Sequence, residues 1–221
     1  MTRPMANRTE AGRALAQRLL GMALPAPIVV LALPRGGVPV GAEIARALKA
    51  PLDLLLVRKI GAPWQRELAV AAVVEGQPPD IVLDEETMAL TGVDQAYVEA
   101  EAVQELTEIE RRRAAYLQGR APIGVDGATV IVVDDGIATG TTVRAALKAL
   151  RRRHPARLVL AVPVAPSDTL AQLRGEVDDI VCLAEPHPFH AIGLHYGDFH
   201  QVGDDEVLAA LASANAAPGP P

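Results

Sequence analysis

Short apolar runs alternate with amphipathic helical patterns along this chain, and that alternation constrains the fold more than any other feature. IVVLAL (28–33), LDLLLV (52–57), LAVAAVVEG (68–76), TVIVV (129–133), RLVLAV (157–162) and DIVCLA (179–184) are short, rich in branched residues and bounded by turn formers, so they read as strands. Helical spacing lies between and around them. Asn7 with Glu10 three residues later starts a helix carrying Ala11, Leu15 and Leu19, which Gly21 ends. Val40, Ile44 and Leu48 line one face of 38–49, and Val98, Ala102, Leu106 and Ile109 form the stripe of one long helix over 94–118. Val143, Leu147 and Leu150 line a helix over 141–153, a short helix covers 168–174, and Asp204 starts a last one through Val207, Leu208 and Leu211. Strands that are apolar throughout, interleaved with helices, predict an α/β fold: a parallel sheet with helices on both faces.

Two segments break the rhythm. RKIGAPWQRE (58–67) is polar, contains Gly-Ala-Pro and reads as a loop; 185–203 is rich in His, Pro, Gly and Asp and reads as a loop-rich cap. The expected organisation is a core over 7–184, with the long helix 94–118 inserted in it. A small C-terminal hood over 185–213, joined by the N-terminal helix 8–20, and a frayed tail over 214–221 complete the chain. Arg111, Arg112 and Arg113 follow five glutamates on the long helix, the charge order a helix dipole favours, and read as a solvated helix end.

Composition narrows the function classes. With 221 residues, 50% of them hydrophobic and 22% charged, the chain builds its own core; at 3% aromatic content that core must be Ala, Leu and Val. One cysteine excludes an internal disulfide framework and a cysteine-only metal site. A net charge of −6 gives no overall basic field for nucleic acid or an anionic membrane. The most apolar early stretch, Leu19 to Leu33, is interrupted by Pro25 and Pro27, and residues 1–18 lack the apolar run of a signal peptide, so a cytoplasmic protein is expected.

The most informative string is TVIVVDDGIATGTT (129–142). A strand delivers Asp134 and Asp135 at its C-terminal end, and a Gly/Thr turn leads into a helix. Such a turn offers backbone N–H groups, hydroxyls and the positive end of a helix dipole, which is a phosphate cradle. Two carboxylates beside it can accept hydrogen bonds from vicinal sugar hydroxyls or face water on a divalent cation. The plainer reading is a strand–turn–helix junction with an Asp cap. No Lys follows Gly140, so this is no Walker A loop, and no G-x-G-x-x-G occurs.

VIVVDDGIATGTT resembles the phosphoribosyl-pyrophosphate (PRPP) signature of type I phosphoribosyltransferases. LALPRGGVPVG (31–41) resembles the family's pyrophosphate loop, RKIGAPWQREL (58–68) its basic strand end and mobile loop, and HPFHAIGLHYGDF (187–199) with QVGDDEV (201–207) the hood of a bacterial branch of unassigned acceptor. The resemblance covers residues 7–210. It implies that Asp134 and Asp135 bond the ribose hydroxyls of PRPP and that the turn Gly136, Ala138, Thr139, Gly140, Thr141 and Thr142 holds the 5′-phosphate. It places pyrophosphate on Arg35, Gly36 and Gly37, through backbone amides and often a cis peptide, and on Arg58 and Lys59. It further implies Mg2+ as cofactor, with Asp134 and Asp135 reaching it at most through water. Arg35, Arg58 and Lys59 then stabilise the leaving diphosphate, and loop 60–67 closes over the reacting centre. Glu67 on that loop is the candidate general acid or base, or else a solvated loop acid. The partners so implied are PRPP and an unknown base or amine, with a homodimer left open.

Ala138 stands where the 6-oxopurine enzymes carry an Asp, which argues against a hypoxanthine, guanine or xanthine acceptor. His187, His190, His195 and His200 crowd the cap, where acceptor recognition, a structural metal and a merely packed loop are all open readings; their spacing matches no familiar zinc pattern. Trp64 and Phe189 have flat faces for a planar base. The alternative from another class is a non-catalytic PRPP-sensing regulator on the same fold, disfavoured by the acidic charge and the single short N-terminal helix. A phosphosugar hydrolase lacks a nucleophile or metal set here.

Overall fold

The computed structural model describes residues 4–216. Helix α1 (Arg8–Leu20) opens on a capping arrangement: Asn7 Oδ1 accepts from the Glu10 N–H at 2.9 Å, while the Glu10 carboxylate reaches back to the Ala6 N–H. There follow β1 (Ile28–Ala32), α2 (Gly37–Leu48) and β2 (Leu52–Leu54), then β3 (Val57–Ala62), β4 (Gln65–Val74) and β5 (Asp80–Leu83). Next come α3 (Glu85–Thr91), α4 (Gln95–Leu117), β6 (Thr129–Val133), α5 (Thr141–Arg151), β7 (Arg157–Val164), α6 (Ser167–Leu173), β8 (Asp179–Ala184) and α7 (Asp204–Asn215).

Five strands form a parallel sheet in the order β2-β1-β6-β7-β8, in register along Leu52, Val30, Ile131, Val159 and Asp179. Successive strand residues serve opposite cores, as the pleat requires. Val30, Ala32, Ile131, Val133, Val159 and Ala161 pack with Leu15 and Leu19 of α1, Ile44 of α2 and Leu211 of α7. Val29, Leu31, Val130, Val132, Leu158 and Leu160 pack on the other face with Val143, Leu147 and Leu150 of α5 and Leu170 of α6. The sheet is thus the α/β layer expected from the alternation. Because α2 and α5 cover opposite faces, the chain winds away from the β1–β6 pair in two directions. In open α/β sheets, ligands bind in the crevice beyond the strand ends at such a reversal.

The remaining strands depart from expectation. The run 52–57 is two strands: β2 stops at Leu54, the Leu55 N–H bonds Ala32 O at 3.0 Å, and the chain then enters β3 of a separate antiparallel sheet, β3-β4-β5. Segment 58–67, expected as a loop, is a β-hairpin turning at Pro63–Trp64. Its charges are matched by α4: Arg58 Nε lies 2.6 Å from Glu105 and Arg66 Nη1 2.9 Å from Glu101, while the Tyr97 hydroxyl donates to Gly61 O at 3.0 Å. Gly61 permits the tight closure, since a Cβ there would lie 2.1 Å from Arg66 O. β5 and α3 were not anticipated.

In the arginine run Arg111 is exposed, as a solvated helix end requires, but Arg113 is not. Arg113 is mostly buried, with Nη1 2.8 Å from Glu75 Oε2 and Nη2 3.5 Å from Asp53 Oδ2. The tail is ordered further than expected. α7 runs through Asn215, whose amide donates to Leu52 O at 2.8 Å and accepts from the Leu52 N–H at 3.0 Å; residues 217–221 lie outside the described residues. Segment 185–203 is irregular apart from a 3-10 turn, Ile192–His195. No helix among the described residues is long and apolar enough to cross a membrane.

Candidate functional site

The loops that leave β1 and β6 meet at the sheet reversal. The first contains a cis peptide between Pro34 and Arg35. Gly36 then lies against the acidic pair so closely that a Cβ would sit 2.0 Å from Asp135 Oδ2, and a Cβ on Gly37 would sit 2.7 Å from Val133 O. Only glycine leaves room for this contact. Asp134 Oδ1 accepts from the Asp135 N–H at 2.8 Å. Burial, reinforced by the charge of Asp135, pushes the Asp134 carboxyl well above the ordinary carboxylate range. Burial also raises Asp135, against the opposing pull of Arg8.

Arg8 is the residue that sequence reasoning missed. Its Nε donates to Asp135 Oδ2 at 2.8 Å and its Nη1 to His200 O at 2.8 Å, and its guanidinium lies 4.0 Å from the Phe199 ring centroid. The Tyr196 hydroxyl donates to Asp135 O at 2.6 Å. The first turn of α1 and the 185–203 segment therefore hold Asp135, Arg8 through Oδ2 and Tyr196 through the backbone carbonyl. The exposed His200 ring lies 3.0 Å from Asp198 and 2.9 Å from Glu206, whose hydrogen bonds raise its pKa. His187 and His190 are exposed, and His195 stacks on Phe189 with ring centroids 5.9 Å apart.

Beyond the acidic pair, Ile137 N–H bonds Val164 O at 2.9 Å, and the chain rises into an exposed turn at Ala138 and Thr139. Gly140 has φ 74°, the left-handed region, and precedes α5 without a side-chain cap, so the first N–H groups of that helix are not taken by a capping side chain. Thr139 and Thr141 hydroxyls stand 3.5 Å apart over this end. The turn is braced from beneath by Thr169, whose hydroxyl donates to Ala138 O at 2.9 Å. Uncapped N–H groups, two hydroxyls and a helix dipole make an anion seat.

The other expected site residues are distributed around this cradle. Thr142, Pro34, Arg58 and Arg112 border one small cavity of about 40 Å3, so the first loop, the basic strand end and the turn do meet. Lys59 is exposed on β3. Glu67 is exposed on β4 near the hairpin tip, where Trp64 is 66% exposed. Neither forms a hydrogen bond or ion pair with Asp134 or Asp135. A wider groove of about 740 Å3 runs between the antiparallel sheet and α5, bordered by Thr139, Thr141 and Arg144. Among the described residues no group of three or more His, Cys, Asp or Glu is placed to hold a metal ion.

Residues 6–196 match the family model described as "Phosphoribosyl transferase domain". The chain is 40% identical to the protein TT1426 from Thermus thermophilus, with a TM-score of 0.82 over 95% of this chain and 98% of that one. It is also 45% identical over 209 residues to two Mycobacterium tuberculosis proteins bearing the name "Putative phosphoribosyl transferase", MT0597 and Rv0571c. Those matches cover 95% of this chain but 46% of each relative, so the chain spans about half the length of these curated relatives.

Proposed function

The chain belongs to the phosphoribosyl transferase domain family, and from that membership we propose that it transfers the phosphoribosyl group of PRPP to a base or amine with release of pyrophosphate. One observation supports the reading: at the sheet reversal Gly36 lies against Asp135, in the segment that runs on into the uncapped start of α5.

In this reading Asp134 and Asp135 accept from the ribose hydroxyls, and the turn 138–142 holds the 5′-phosphate. Pyrophosphate lies on Arg35, Gly36 and Gly37, with Arg58 and Lys59 at its far end. As the bond from C1 to the diphosphate lengthens, negative charge gathers on the leaving group, and the guanidinium and ammonium groups offset it. The β3–β4 hairpin closes over the centre to exclude water, and Glu67 on it stands as the candidate acid or base. The acceptor is read by the 185–200 segment together with the hairpin tip, since Ala138 offers a base no polar side chain.

Magnesium is part of the proposal. Asp135 spends one oxygen on Arg8, so the pair suits an ion that keeps its own waters and takes its other ligands from substrate phosphates. When bound, the ion neutralises the diphosphate. Calorimetry with PRPP, with and without EDTA, should show tighter binding with Mg2+. A panel of bases and small amines, read by pyrophosphate release, then finds the acceptor. Absence of heat in both conditions would overturn the assignment. PRPP binding without transfer to any acceptor would favour a PRPP sensor.

A further inference from the structure

Arg111 and Arg112 are not used by the cradle; Arg112 is half-buried and Arg111, though largely exposed, borders the same cavity. They face Arg35 and the start of α7 across a cavity of about 290 Å3, bordered by Arg35, Arg111, Arg112, Ala115, Tyr116 and Asp204. Three guanidiniums and one carboxylate thus surround one small space. Each arginine is held at its edge. Glu108 accepts from Arg111 Nε at 2.7 Å and Nη2 at 3.0 Å, and from Arg112 Nε at 2.7 Å. Arg35 Nη1 lies 3.5 Å from Asp204 Oδ1, which also accepts from the Tyr116 hydroxyl at 2.7 Å.

These anchors orient the guanidiniums without exhausting them. Arg112 commits only Nε, and Arg111 keeps Nη1; these remaining donors have no hydrogen-bond partner among the described residues. The two arginines hold the Glu108 carboxyl down at about 2, so it is ionised and still leaves the three arginines in excess over Glu108 and Asp204. Like charges gathered around a cavity repel one another until an anion joins them. Guanidinium forks match the oxygens of a phosphate in both spacing and plane. The volume sits at the lower end for ligand pockets, roughly 300–1,000 Å3, which suits a small anion better than a nucleoside. Arg112 also borders the small cavity shared by Pro34, Arg58 and Thr142, so the pocket adjoins the cradle.

We infer that this pocket is a binding subsite for a phosphate or diphosphate group, gripped by Arg35, Arg111 and Arg112. What it adds is Arg111 and Arg112; with PRPP as the source it rests on the proposed function, which already places pyrophosphate on Arg35, and with a separate phosphoanion it does not. Two sources carry the same chemistry: the diphosphate end of PRPP, and a separate phosphoanion.

Inorganic pyrophosphate, titrated calorimetrically without added metal, tests it. The doubly substituted Arg111→Gln, Arg112→Gln protein should bind about 10–100-fold more weakly than the native chain, since two charge-assisted contacts are lost. Asp204→Asn removes the one carboxylate on the wall and should tighten binding several-fold. Opposite signs from two variants cannot arise from lost folding, and circular dichroism checks each. Equal affinities in all three proteins, or weaker binding in both variants, would overturn the subsite. In the native protein presaturated with PRPP, loss of the arginine-dependent binding assigns the pocket to PRPP's own diphosphate; undiminished binding assigns it to a separate phosphoanion.

Discussion

The two sheets hold their polar groups by different means. At the parallel sheet the site is made largely of backbone: Gly36 and Gly37 pressed onto the β6 end, a left-handed Gly140, and the uncapped start of α5. Asp135 is fixed by partners from distant elements, its carboxylate by Arg8 and its backbone carbonyl by Tyr196. The strands beneath are buried on both faces and pack as densely as any interior, which leaves such a cradle little freedom to move. The antiparallel sheet shares a buried core with α4, Ile60, Val70 and Val73 clustering with Val98, Ala102 and Ile109, and only its outer end is held by side-chain pairs, Arg58 with Glu105 and Arg66 with Glu101. Those contacts can part and re-form at small cost. A rigid seat for a shared anionic substrate and an adjustable flap above it is the division that the proposed chemistry requires.

The sharpest way to break this contrast is to crowd the cradle. Gly36→Val places a side chain where Asp135 Oδ2 already lies, 2.0 Å from the position of its Cβ. PRPP affinity measured by calorimetry should fall about 100-fold or more, equivalent to roughly 2.7 kcal/mol. The melting temperature should also drop, since overpacking typically costs about 1–3 kcal/mol. Retained affinity would mean that the first loop is as adjustable as the flap.

Asp135→Asn is the next largest. A hydrogen bond between a carboxylate and a hydroxyl is worth about 1.5–3 kcal/mol, so PRPP binding should weaken roughly 10–100-fold with the fold intact. An unchanged affinity would reduce the pair to a structural cap for the turn.

Asp134→Asn separates stability from binding at the same strand end. Burial raises the Asp134 carboxyl well above its ordinary value, so the folded state holds the proton more tightly than the unfolded chain. The stabilising contribution of that proton is present below the ordinary carboxylate range and is lost as pH rises through the raised value. Asparagine carries no charge and keeps an oxygen for the Asp135 N–H. The variant should therefore match the native protein near pH 4 and melt about 2–4 °C higher at pH 8, a gain of about 1 kcal/mol. The same variant should bind PRPP less well. A melting temperature that falls at pH 8 would show that the buried charge stabilises the fold.

The contrast between the sheets also explains what was legible in the sequence. TVIVV is buried at all five positions, and the apolar pattern alone marks it as a strand. The DDGIATGTT string is local, so the turn and the helix start could be read from adjacent residues. The hairpin could not: the partners of Arg58 and Arg66 lie 47 and 35 residues away on α4, and without them 58–67 is only a polar stretch with Gly and Pro. Arg8 is separated from Asp135 by 127 residues, and nothing around it distinguishes it from Arg13 or Arg18 on the same helix. Arg113 likewise looks like its neighbours until Glu75 and Asp53 are brought beneath it.

The smallest effect belongs to the flap, and it tests the comparison from the other side. Arg66 is 70% exposed at the side chain and meets Glu101 at 2.9 Å near the hairpin tip. Exposed pairs of this kind contribute about 0.2–1 kcal/mol, because solvent screens the charges and both side chains lose rotamer freedom. A double-mutant cycle with Arg66→Ala and Glu101→Ala, followed by denaturant unfolding, should give a coupling energy within that range. The coupling should shrink further as salt is raised, since the pair is open to screening. PRPP affinity should stay within a few-fold in all three variants, because the cradle does not depend on this contact, whereas turnover with a found acceptor should respond if the hairpin closes during reaction. A coupling of several kcal/mol, or a collapse of PRPP binding when the pair is removed, would show that the hairpin is built into the seat, and the division between a rigid cradle and an adjustable flap would then be wrong.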